Sequence, residues 1–300
     1  MNVLRRTDIE ADSARGLVAG EFLMTNTDFR QIAAMLHADA GIYLPESKAT
    51  LVYSRLAKRL RALGLQSFRD YCTLIARSEG VDERQKMLAA LTTNVTRFFR
   101  EPHHFDHLRK TVLPPLVDLA RRGGRLRFWS AACSNGAEPY SIALTVLSVL
   151  PNAASYDVKI LATDIDPYMV AEGTAGTYSD SIMAPVPADL RRHWFTPSRG
   201  EEGKTWTANE TLRSLVAFRE LNLIGHWPMR GQFHAIFCRN VVIYFEEETQ
   251  AQLWSRFIPH LVPAGHLFIG HSERVSGPAA ASFDNAGITT YRLKEGTRTK

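Results

Sequence analysis

The residues best suited to chemistry lie in one short loop, Ala131 to Ala143, with the sequence "AACSNGAEPYSIA". Apolar residues precede this loop and a helical pattern follows it, as at the start of many nucleotide-binding units. Yet Gly136 is its only glycine, whereas a dinucleotide fingerprint needs three. A nucleophile elbow is not supported either, because the required glycines do not flank Ser134 or Cys133. An ordinary strand-to-helix turn and a loop for a different ligand remain as alternatives.

Glu138 favours a loop for a different ligand over an ordinary strand-to-helix turn. It falls in the first turn of the predicted helix, next to Pro139, where a carboxylate would repel a pyrophosphate and attract a cation. Asp164 follows about 26 residues later, at the end of the predicted strand in "ILATDID". An acid at that position commonly binds the two hydroxyls of a ribose, although a solvated acid at a strand end is the simpler alternative. S-adenosyl-L-methionine, a nucleoside with sulfonium and ammonium groups, fits both acids.

The elements that must position these acids begin after Gly123 and Gly124, where short apolar runs alternate with helical stretches. The runs are "RLRFWSA", "VKILATDI", "FHAIFCRNVVIYF" and "GHLFIGHS". This alternation predicts an α/β domain of β-α-β units with a mostly parallel sheet. A polar segment with several prolines, residues 173–216, interrupts the pattern and is too long for an ordinary loop. We therefore expect an inserted β-rich subdomain there.

The chain before residue 123 has a different pattern. Residues 1–20 are polar and aperiodic, which predicts a mobile lead-in. Residues 21–91 repeat apolar positions every three or four residues, which predicts a small all-helical domain. Its predicted buried stripe contains Val52, Leu56, Leu60 and Leu63. A linker and helix at 92–122, the α/β domain at 123–294 and a tail at 295–300 complete the predicted organisation.

A basic face accompanies the apolar stripe. Residues 48–61, "KATLVYSRLAKRLR", carry five basic residues and no acid. On a helix, Lys48, Arg55 and Arg59 share a face, and Lys58 adjoins them. The charge predicts an acidic partner, with a solvated cationic face as the alternative. The net charge of +5 does not require nucleic acid, and no interleaved aromatic pattern supports such a partner.

Composition narrows the class of protein. With 300 residues and 45% hydrophobic content, the chain is long enough for a folded core. Because no apolar run approaches the length of a membrane span, we expect a cytoplasmic protein without direct membrane insertion. Cysteines and histidines do not predict a metal site, since the cysteines are far apart and the clustered histidines lack further ligands nearby. These residues are Cys72, Cys133, Cys238, His103, His104 and His107.

Several motifs together resemble the CheR family, the chemoreceptor glutamate methyltransferases. In chain order they are "TTNVTRFFRE" at 92–101, "SAACSNGAEPYSIA" at 130–143, "ATDID" at 162–166, "FRELNL" at 218–223, "FCRNVVIYF" at 237–245 and "GHSE" at 270–273. With the helical "YSRLAKRLRALGL", the resemblance extends from about residue 22 to residue 294. "FFRE" or "GHSE" alone is a weak signal, but the order and spacing of all six motifs are specific.

The resemblance implies a helical N-terminal domain followed by a Rossmann-like class I methyltransferase domain with an inserted small antiparallel β-subdomain. It implies S-adenosyl-L-methionine as methyl donor, S-adenosyl-L-homocysteine as product and no metal. The implied acceptors are specific glutamates on the cytoplasmic helices of chemoreceptors, the methyl-accepting chemotaxis proteins. In some family members the β-subdomain also binds a peptide at the receptor C-terminus, and residues 173–216 do not decide this point here. We expect a monomer.

The resemblance also implies roles for individual residues. The implied donor-binding residues are Asn94, Thr96, Arg100, Glu138, Asp164, Asn222, Leu223, Arg239 and Asn240. Among them, Glu138 is expected at the methionyl end of the donor and Asp164 at its ribose. The implied catalytic residues are Arg100 and Tyr244, with Tyr244 near the transferring methyl group. The implied receptor-binding residues are Lys48, Arg55, Lys58 and Arg59.

The residue types agree with this chemistry. An acceptor glutamate has an ordinary pKa of about 4.3, so it is already ionised and needs no general base. Catalysis then comes from in-line positioning and exclusion of water, which explains the absence of a nucleophilic triad. Asn135, Ala137 and His234 depart from the usual family pattern, which affects the expected donor affinity. A different acidic acceptor protein, or a donor-binding adaptor without turnover, remains an alternative.

Overall fold

The computed structural model describes residues 16–200 and 203–296, so most of the predicted lead-in and tail lies outside the described residues. The chain forms two compact units with a boundary between Thr93 and Asn94. Within the described ranges, no helix combines the length and the apolar composition that crossing a bilayer requires.

In its described residues, the first unit consists of helices joined by short turns. They are α1 (Asn26–Ala40), α2 (Ala49–Leu63), α3 (Phe68–Ile75) and α4 (Val81–Leu91). Thr25 begins α1 in a capping box with Asp28, and Gly41 ends it in a left-handed conformation with φ of 70°. The predicted helical domain is therefore confirmed.

The apolar stripe on α2 is confirmed except at its last residue. Val52, Leu56 and Leu60 are fully buried. Leu63 is 39% exposed, so its predicted burial is wrong. The physical reason is that α2 ends at Leu63, with Gly64 next in the left-handed region at φ of 66°, so the chain turns away before this side chain is covered.

The second unit contains two sheets and the remaining helices. Its strands are β1 (Leu126–Ala131), β2 (Val158–Asp164), β3 (Thr177–Ser179), β4 (Phe195–Gly200), β5 (Gly203–Ala208), β6 (Val216–Glu220), β7 (Phe233–Cys238), β8 (Leu261–Ile269), β9 (Phe283–Gly287) and β10 (Thr290–Leu293). Its helices are α5 (Pro102–His107), α6 (Leu113–Arg121), α7 (Ala137–Val149), α8 (Pro167–Ala175), α9 (Ala188–Trp194), α10 (Glu210–Ser214) and α11 (Glu247–Phe257). A π-helical turn, Leu108–Val112, joins α5 to α6.

The large sheet has the strand order β6-β2-β1-β7-β8-β10-β9. Strands β6, β2, β1, β7 and β8 are parallel, whereas β10 pairs antiparallel with both β8 and β9. The chain moves to one side of β1 through β2 and β6 and to the other side through β7 and β8. Such a reversal opens a crevice at the carboxyl ends of the parallel strands.

A separate three-stranded antiparallel sheet has the order β3-β5-β4. It occupies most of the polar segment that interrupts the α/β pattern, and it confirms the predicted small antiparallel subdomain. Strand β6, at the end of that segment, pairs with β2 and belongs to the large sheet.

Helix α7 fixes the position of the predicted donor loop. Ten of its thirteen residues are buried, in agreement with the apolar sequence "SIALTVLSV" in its body. A helix that is apolar on all sides is buried in the protein interior. Because its neighbours pack around it, the first turn of α7 is held rigidly. Glu138 lies in that first turn, directly after β1 and its loop.

Candidate active site

The loop between β1 and α7 has an unusual backbone. Ala132, Ser134 and Gly136 have φ of 62°, 50° and 90°. The first two are not glycines, and a non-glycine residue in this region costs on the order of 1–3 kcal/mol, so it persists only where its surroundings impose it. At Gly136 an added Cβ would lie 2.8 Å from both the Gly173 Cα and the Tyr178 hydroxyl. The single glycine therefore serves tight packing under the loop.

Asp164, at the carboxyl end of β2, holds this loop. Its Oδ2 accepts a hydrogen bond from the Ser134 backbone N–H at 2.7 Å, and its Oδ1 accepts from the Asp166 N–H at 3.0 Å. The side chain is buried, and burial raises its pKa to about 6, although these two backbone donors oppose the shift. A carboxylate offers about four acceptor sites. The Ile165 N–H is a further backbone donor to this carboxylate, so about one acceptor site remains for a hydroxyl group of a ligand.

The beginning of the linker contacts the same loop. The Asn94 side-chain amide donates to Asp166 Oδ2 at 2.9 Å, and the Asn94 carbonyl accepts from the Ser134 hydroxyl at 3.0 Å. The Phe99 N–H donates to the Ser141 hydroxyl oxygen on α7 at 2.9 Å. The structure thus brings Asn94 to the loop, and Thr96 is half-buried two residues further along.

Glu138 and Arg239 form a buried ion pair across the crevice. Glu138 Oε2 lies 3.4 Å from Arg239 Nε, and Glu138 Oε1 accepts a hydrogen bond from the Ser130 hydroxyl at 2.7 Å. Their side chains are 13% and 2% exposed. Burial raises the pKa of Glu138, while the Arg239 charge and the Ser130 hydrogen bond oppose that rise. Residues after β1 and β7 therefore meet where the strand order reverses.

Arg239 keeps donor capacity beyond this pair. One of its nitrogens, Nη2, donates to the Arg100 carbonyl and lies 3.9 Å from Glu101 Oε2. Its Nη1 is buried without a hydrogen-bond partner among the described residues, and its Nε has only the 3.4 Å ionic contact with Glu138. A buried guanidinium with unused N–H groups suits an additional anionic group. The Arg100 guanidinium itself donates to the Val95 carbonyl at 2.9 Å and is half-buried.

Glu273 is a site residue to which sequence analysis assigned no role. Its carboxylate accepts four backbone N–H groups: Gly270 at 2.6 Å, Asn240 at 2.9 Å, Val241 at 2.9 Å and Val242 at 3.0 Å. Burial raises its pKa, and the four N–H donors oppose the shift. In the sequence, the one indication of its role is its place in the motif "GHSE" directly after β8. Glu273 fastens the loop after β7 to the loop after β8.

The predicted adenine and methyl residues lie in neighbouring loops. The Leu221 N–H donates to the Asp164 carbonyl at 2.9 Å, which places the loop carrying Asn222 and Leu223 beside β2. The Asn222 side chain accepts from the Ile224 N–H at 3.1 Å, and Leu223 is buried. Tyr244 ends a short 3-10 turn after β7 and is half-buried. Their roles toward a ligand stay predictions.

The two arginines predicted to bind a receptor are engaged inside the first unit. Arg59 Nε and Nη2 donate to the Glu83 carboxylate at 2.9 and 2.6 Å, in a bidentate pair. Arg55 Nη1 donates to the carbonyls of Leu91 at 2.9 Å and Thr92 at 2.7 Å, at the end of α4. These contacts tie α2 to α4. Both side chains thus have structural partners that the spacing of basic residues did not indicate.

The two lysines of the same set are exposed. Lys48 precedes α2 as its N-cap residue. Lys58 lies within α2. The exposed positive charge of the set is therefore carried by the lysines, and receptor binding by these four residues stays a prediction.

Comparison with known proteins gives consistent results over both units. A family model described as "CheR methyltransferase, SAM binding domain" matches residues 94–292, and "CheR methyltransferase, all-alpha domain" matches residues 27–92. A "Probable chemotaxis protein methyltransferase" of Rhizobium etli is 56% identical over 86% of this chain and 96% of its own length. The "Chemotaxis protein methyltransferase" of Escherichia coli is 40% identical over 91% of this chain and 92% of its own length.

Proposed function

The chain belongs to the CheR methyltransferase family, and from this premise we propose that it methylates glutamate side chains on the cytoplasmic helices of chemoreceptors. S-adenosyl-L-methionine supplies an electrophilic methyl group on its sulfonium. The products are a glutamyl methyl ester and S-adenosyl-L-homocysteine. The observation that carries this proposal is the joint presence of Asp164, Glu138 and Arg239 at the carboxyl edge of the parallel strands.

Each of these three residues suits one part of the donor. Asp164 keeps acceptor capacity for a ribose hydroxyl beside its backbone donors. The Glu138 carboxylate would attract the α-ammonium group, and the unused N–H groups of Arg239 suit the α-carboxylate. Asn94 and Thr96 would line the site from the linker, Asn240 from the loop after β7, and Asn222 and Leu223 beside the adenine. Opposite charges within one ion pair thus match a zwitterionic ligand.

The chain's own contribution to the methyl transfer is positioning. An ionised acceptor needs no proton removed, so the residues must align its oxygen with the methyl group and exclude water. Arg100 would orient the incoming carboxylate, and Tyr244 would fix the geometry through its hydroxyl group. The four hydrogen bonds to Glu273 hold the loop that carries Tyr244, and so reduce the freedom of the site.

The acceptor helices are acidic, so the exposed Lys48 and Lys58 would guide them to the protein by charge. Arg55 and Arg59 would add to that field from their places on α2. The small sheet is the expected binding place for a receptor C-terminal peptide, where a receptor has one. We propose that the protein acts as a monomer in the cytoplasm, where those receptor helices lie, and that neither nucleic acid nor a metal takes part in the transfer.

The test is incubation of the full chain with methyl-labelled S-adenosyl-L-methionine and receptor cytoplasmic fragments. Glutamyl methyl esters are labile to base, so labelled receptor should release volatile methanol in alkali. Fragments with the methylation glutamates changed to alanine serve as the control. If no receptor fragment gains base-labile label while another acidic protein does, the acceptor proposed here is wrong. If nothing is labelled although the donor binds, the chain is a donor-binding adaptor.

A further inference from the structure

A second group of ligand-type side chains lies where the linker enters α5. Glu101, His103 and His104 each place one coordinating atom within 4.8 Å of the others. Glu101 precedes α5 as its N-cap residue with φ of 58°, a conformation that a non-glycine residue adopts only when its surroundings impose it. The proposed methyl transfer assigns no role to these three side chains.

The coordinating atoms of this group lack ordinary partners. Glu101 Oε2, His103 Nε2 and His104 Nδ1 are all buried, and none accepts or donates a hydrogen bond within the part of the chain that the structure describes. Buried polar atoms are almost always hydrogen-bonded, so three such atoms at one place require an explanation. The nearest cation, Arg239 Nη2, lies 3.9 Å from Glu101 Oε2, beyond hydrogen-bond distance.

The contacts of His104 allow its Nδ1 to serve as a metal ligand. Its Nε2 lies 3.3 Å from the Ile288 carbonyl and 2.9 Å from the Thr289 hydroxyl oxygen. In the tautomer that donates from Nε2 to the Ile288 carbonyl, the ring proton is on Nε2 and Nδ1 keeps a lone pair. That lone pair lies 3.5 Å from the carboxylate oxygen Oε2 of Glu101. In that tautomer two acceptors face each other, and a cation between them would bind to both.

We propose that Glu101, His103 and His104 bind one divalent transition-metal ion, with Zn²⁺ as the best match. Zn²⁺ takes imidazole nitrogen and carboxylate oxygen at about 2.0–2.2 Å in a tetrahedron, whose edges are then roughly 3.3–3.5 Å. The distance of 3.5 Å between Glu101 Oε2 and His104 Nδ1 agrees with such an edge. The fourth position is available to water.

The surroundings of the three ligands also suit a metal. The Ile288 carbonyl near His104 Nε2 can fix the ring orientation, as a hydrogen-bond acceptor behind a ligating histidine does at zinc sites. The other oxygen of Glu101, Oε1, is held by His271 Nδ1 at 3.2 Å and by Asn240 Nδ2 at 3.3 Å. Glu101 can therefore direct Oε2 to the ion. The metal would stabilise the left-handed backbone at Glu101, a structural task separate from methyl transfer.

The test uses the full chain after treatment with a chelator. Calorimetric titration with Zn²⁺ should show one ion per chain, and Co²⁺ should give the visible absorption of a four-coordinate site. Zn²⁺ should also raise the melting temperature. Mg²⁺ should neither bind nor compete, because it prefers six oxygen ligands. His103→Ala should weaken Zn²⁺ binding at least about tenfold, whereas His226→Ala, at an exposed histidine of the same unit, should leave it unchanged.

His103 is half-buried, so its substitution should leave the protein folded, and melting curves in chelator check this. Glu101→Gln, which keeps the shape of the side chain, provides a second variant with the same expected loss. The proposal is overturned if the wild type binds no Zn²⁺, or if His103→Ala and Glu101→Gln bind it as tightly as the wild type. Because metal binding is measured without the methyl donor, failure here leaves the proposed methyl transfer unaffected.

Discussion

At the scale of single residues, the two acids of the donor site are held by different kinds of partner. Asp164 is fixed by the backbone N–H groups of Ser134 and Asp166, so its own position defines the loop. Glu138 is fixed by the Ser130 hydroxyl and by the charge of Arg239. Asp164 therefore contributes geometry as well as charge, whereas Glu138 contributes mainly a charge that a cationic ligand can share.

Replacement of Asp164 tests the ribose role. We expect Asp164→Ala to weaken donor binding roughly 10- to 100-fold, because a hydrogen bond to a charged group contributes about 1.5–3 kcal/mol. Calorimetric titration with S-adenosyl-L-methionine measures the dissociation constant. Asp157→Ala is a matched control, since Asp157 precedes β2 at its opposite end and pairs with Arg127 at 2.6 Å. Equal affinity of Asp164→Ala and wild type would refute the ribose role.

Donor affinity should also depend on pH through Asp164. Burial raises the pKa of Asp164 to about 6, so this carboxylate gains a proton as the pH falls below 6. The protonated group is a weaker acceptor, and we expect the dissociation constant for the donor to rise by about tenfold between pH 7.5 and pH 5. Circular dichroism at both pH values checks that the protein stays folded. The Asp164→Ala variant should show a smaller change with pH, and an equal change would assign the effect to another group.

At the scale of elements, the parts of the site that follow from local pattern were predictable and the contacts between distant loops were not. Apolar runs identified the parallel strands, and therefore the edge at which Glu138 and Asp164 lie. The spacing of basic residues gave no sign that Arg59 pairs with Glu83, because that contact joins α2 to α4. Three of the four hydrogen bonds to Glu273 were equally unpredictable, since they join loops more than thirty residues apart.

The fastening role of Glu273 predicts a combined loss of stability and rate. In Glu273→Gln an amide NH₂ must face backbone N–H groups that now donate to a carboxylate oxygen. Each buried donor left unsatisfied costs about 1–3 kcal/mol. We expect a lower free energy of unfolding and a lower kcat, with a smaller effect on donor affinity. Urea denaturation and methyl-transfer kinetics measure these quantities, and Glu247→Gln on the exposed start of α11 is the control. An unchanged kcat would contradict the fastening role.

Helix α2 calls for a test that spares its structural arginines. Reversing the charge of Arg55 or Arg59 would break contacts to α4. Any change in receptor binding would then be mixed with a loss of stability. Lys48→Glu with Lys58→Glu changes exposed charge alone, and we expect a several-fold higher KM for the receptor fragment with unchanged donor affinity.

The matched control is Arg69→Glu with Lys86→Glu, which makes the same charge change at exposed positions on other helices of the first unit. Its KM for the receptor fragment should rise less than that of the lysine pair on α2. If both double variants raise KM equally, the effect comes from net charge, and the specific role of Lys48 and Lys58 is wrong.

At the scale of the whole molecule, the order of strand-like and helical stretches was sufficient to predict the class of fold, and the motif order was sufficient to identify the family. The electrostatic state of the interior was not predictable in this way. His266, for example, stands in an ordinary strand sequence, yet it lines a cleft with His107 and Arg292. Packing among distant segments decides whether such a ring is charged, and no spacing along the chain reports it.

His266 therefore makes the stability of the second unit depend on pH. Burial, His107 and Arg292 lower the pKa of His266 to about 4, from an ordinary value of 6.5. Asp284 also lines this cleft, but its negative charge does not outweigh the effects that lower the pKa of His266. Because the pKa of His266 is lower in the folded protein than in the unfolded chain, the unfolded chain binds more protons between about pH 4 and pH 6.5. The stabilisation is complete above pH 6.5 and is lost as the pH falls toward 4. Asp164, with its raised pKa, acts in the opposite direction between about 3.8 and 6.

A comparison between variants separates these opposing effects. Between pH 7.5 and pH 5, the free energy of unfolding of the wild type should fall by about 2 kcal/mol more than that of His266→Gln, because glutamine does not titrate. Urea denaturation in the presence of a chelator measures both, and His226→Gln, at an exposed histidine, should follow the wild type. Parallel pH profiles for the wild type and His266→Gln would mean that the ring is protonated in the folded protein. The repulsion expected from His107 and Arg292 would then be relieved by movement of the cleft.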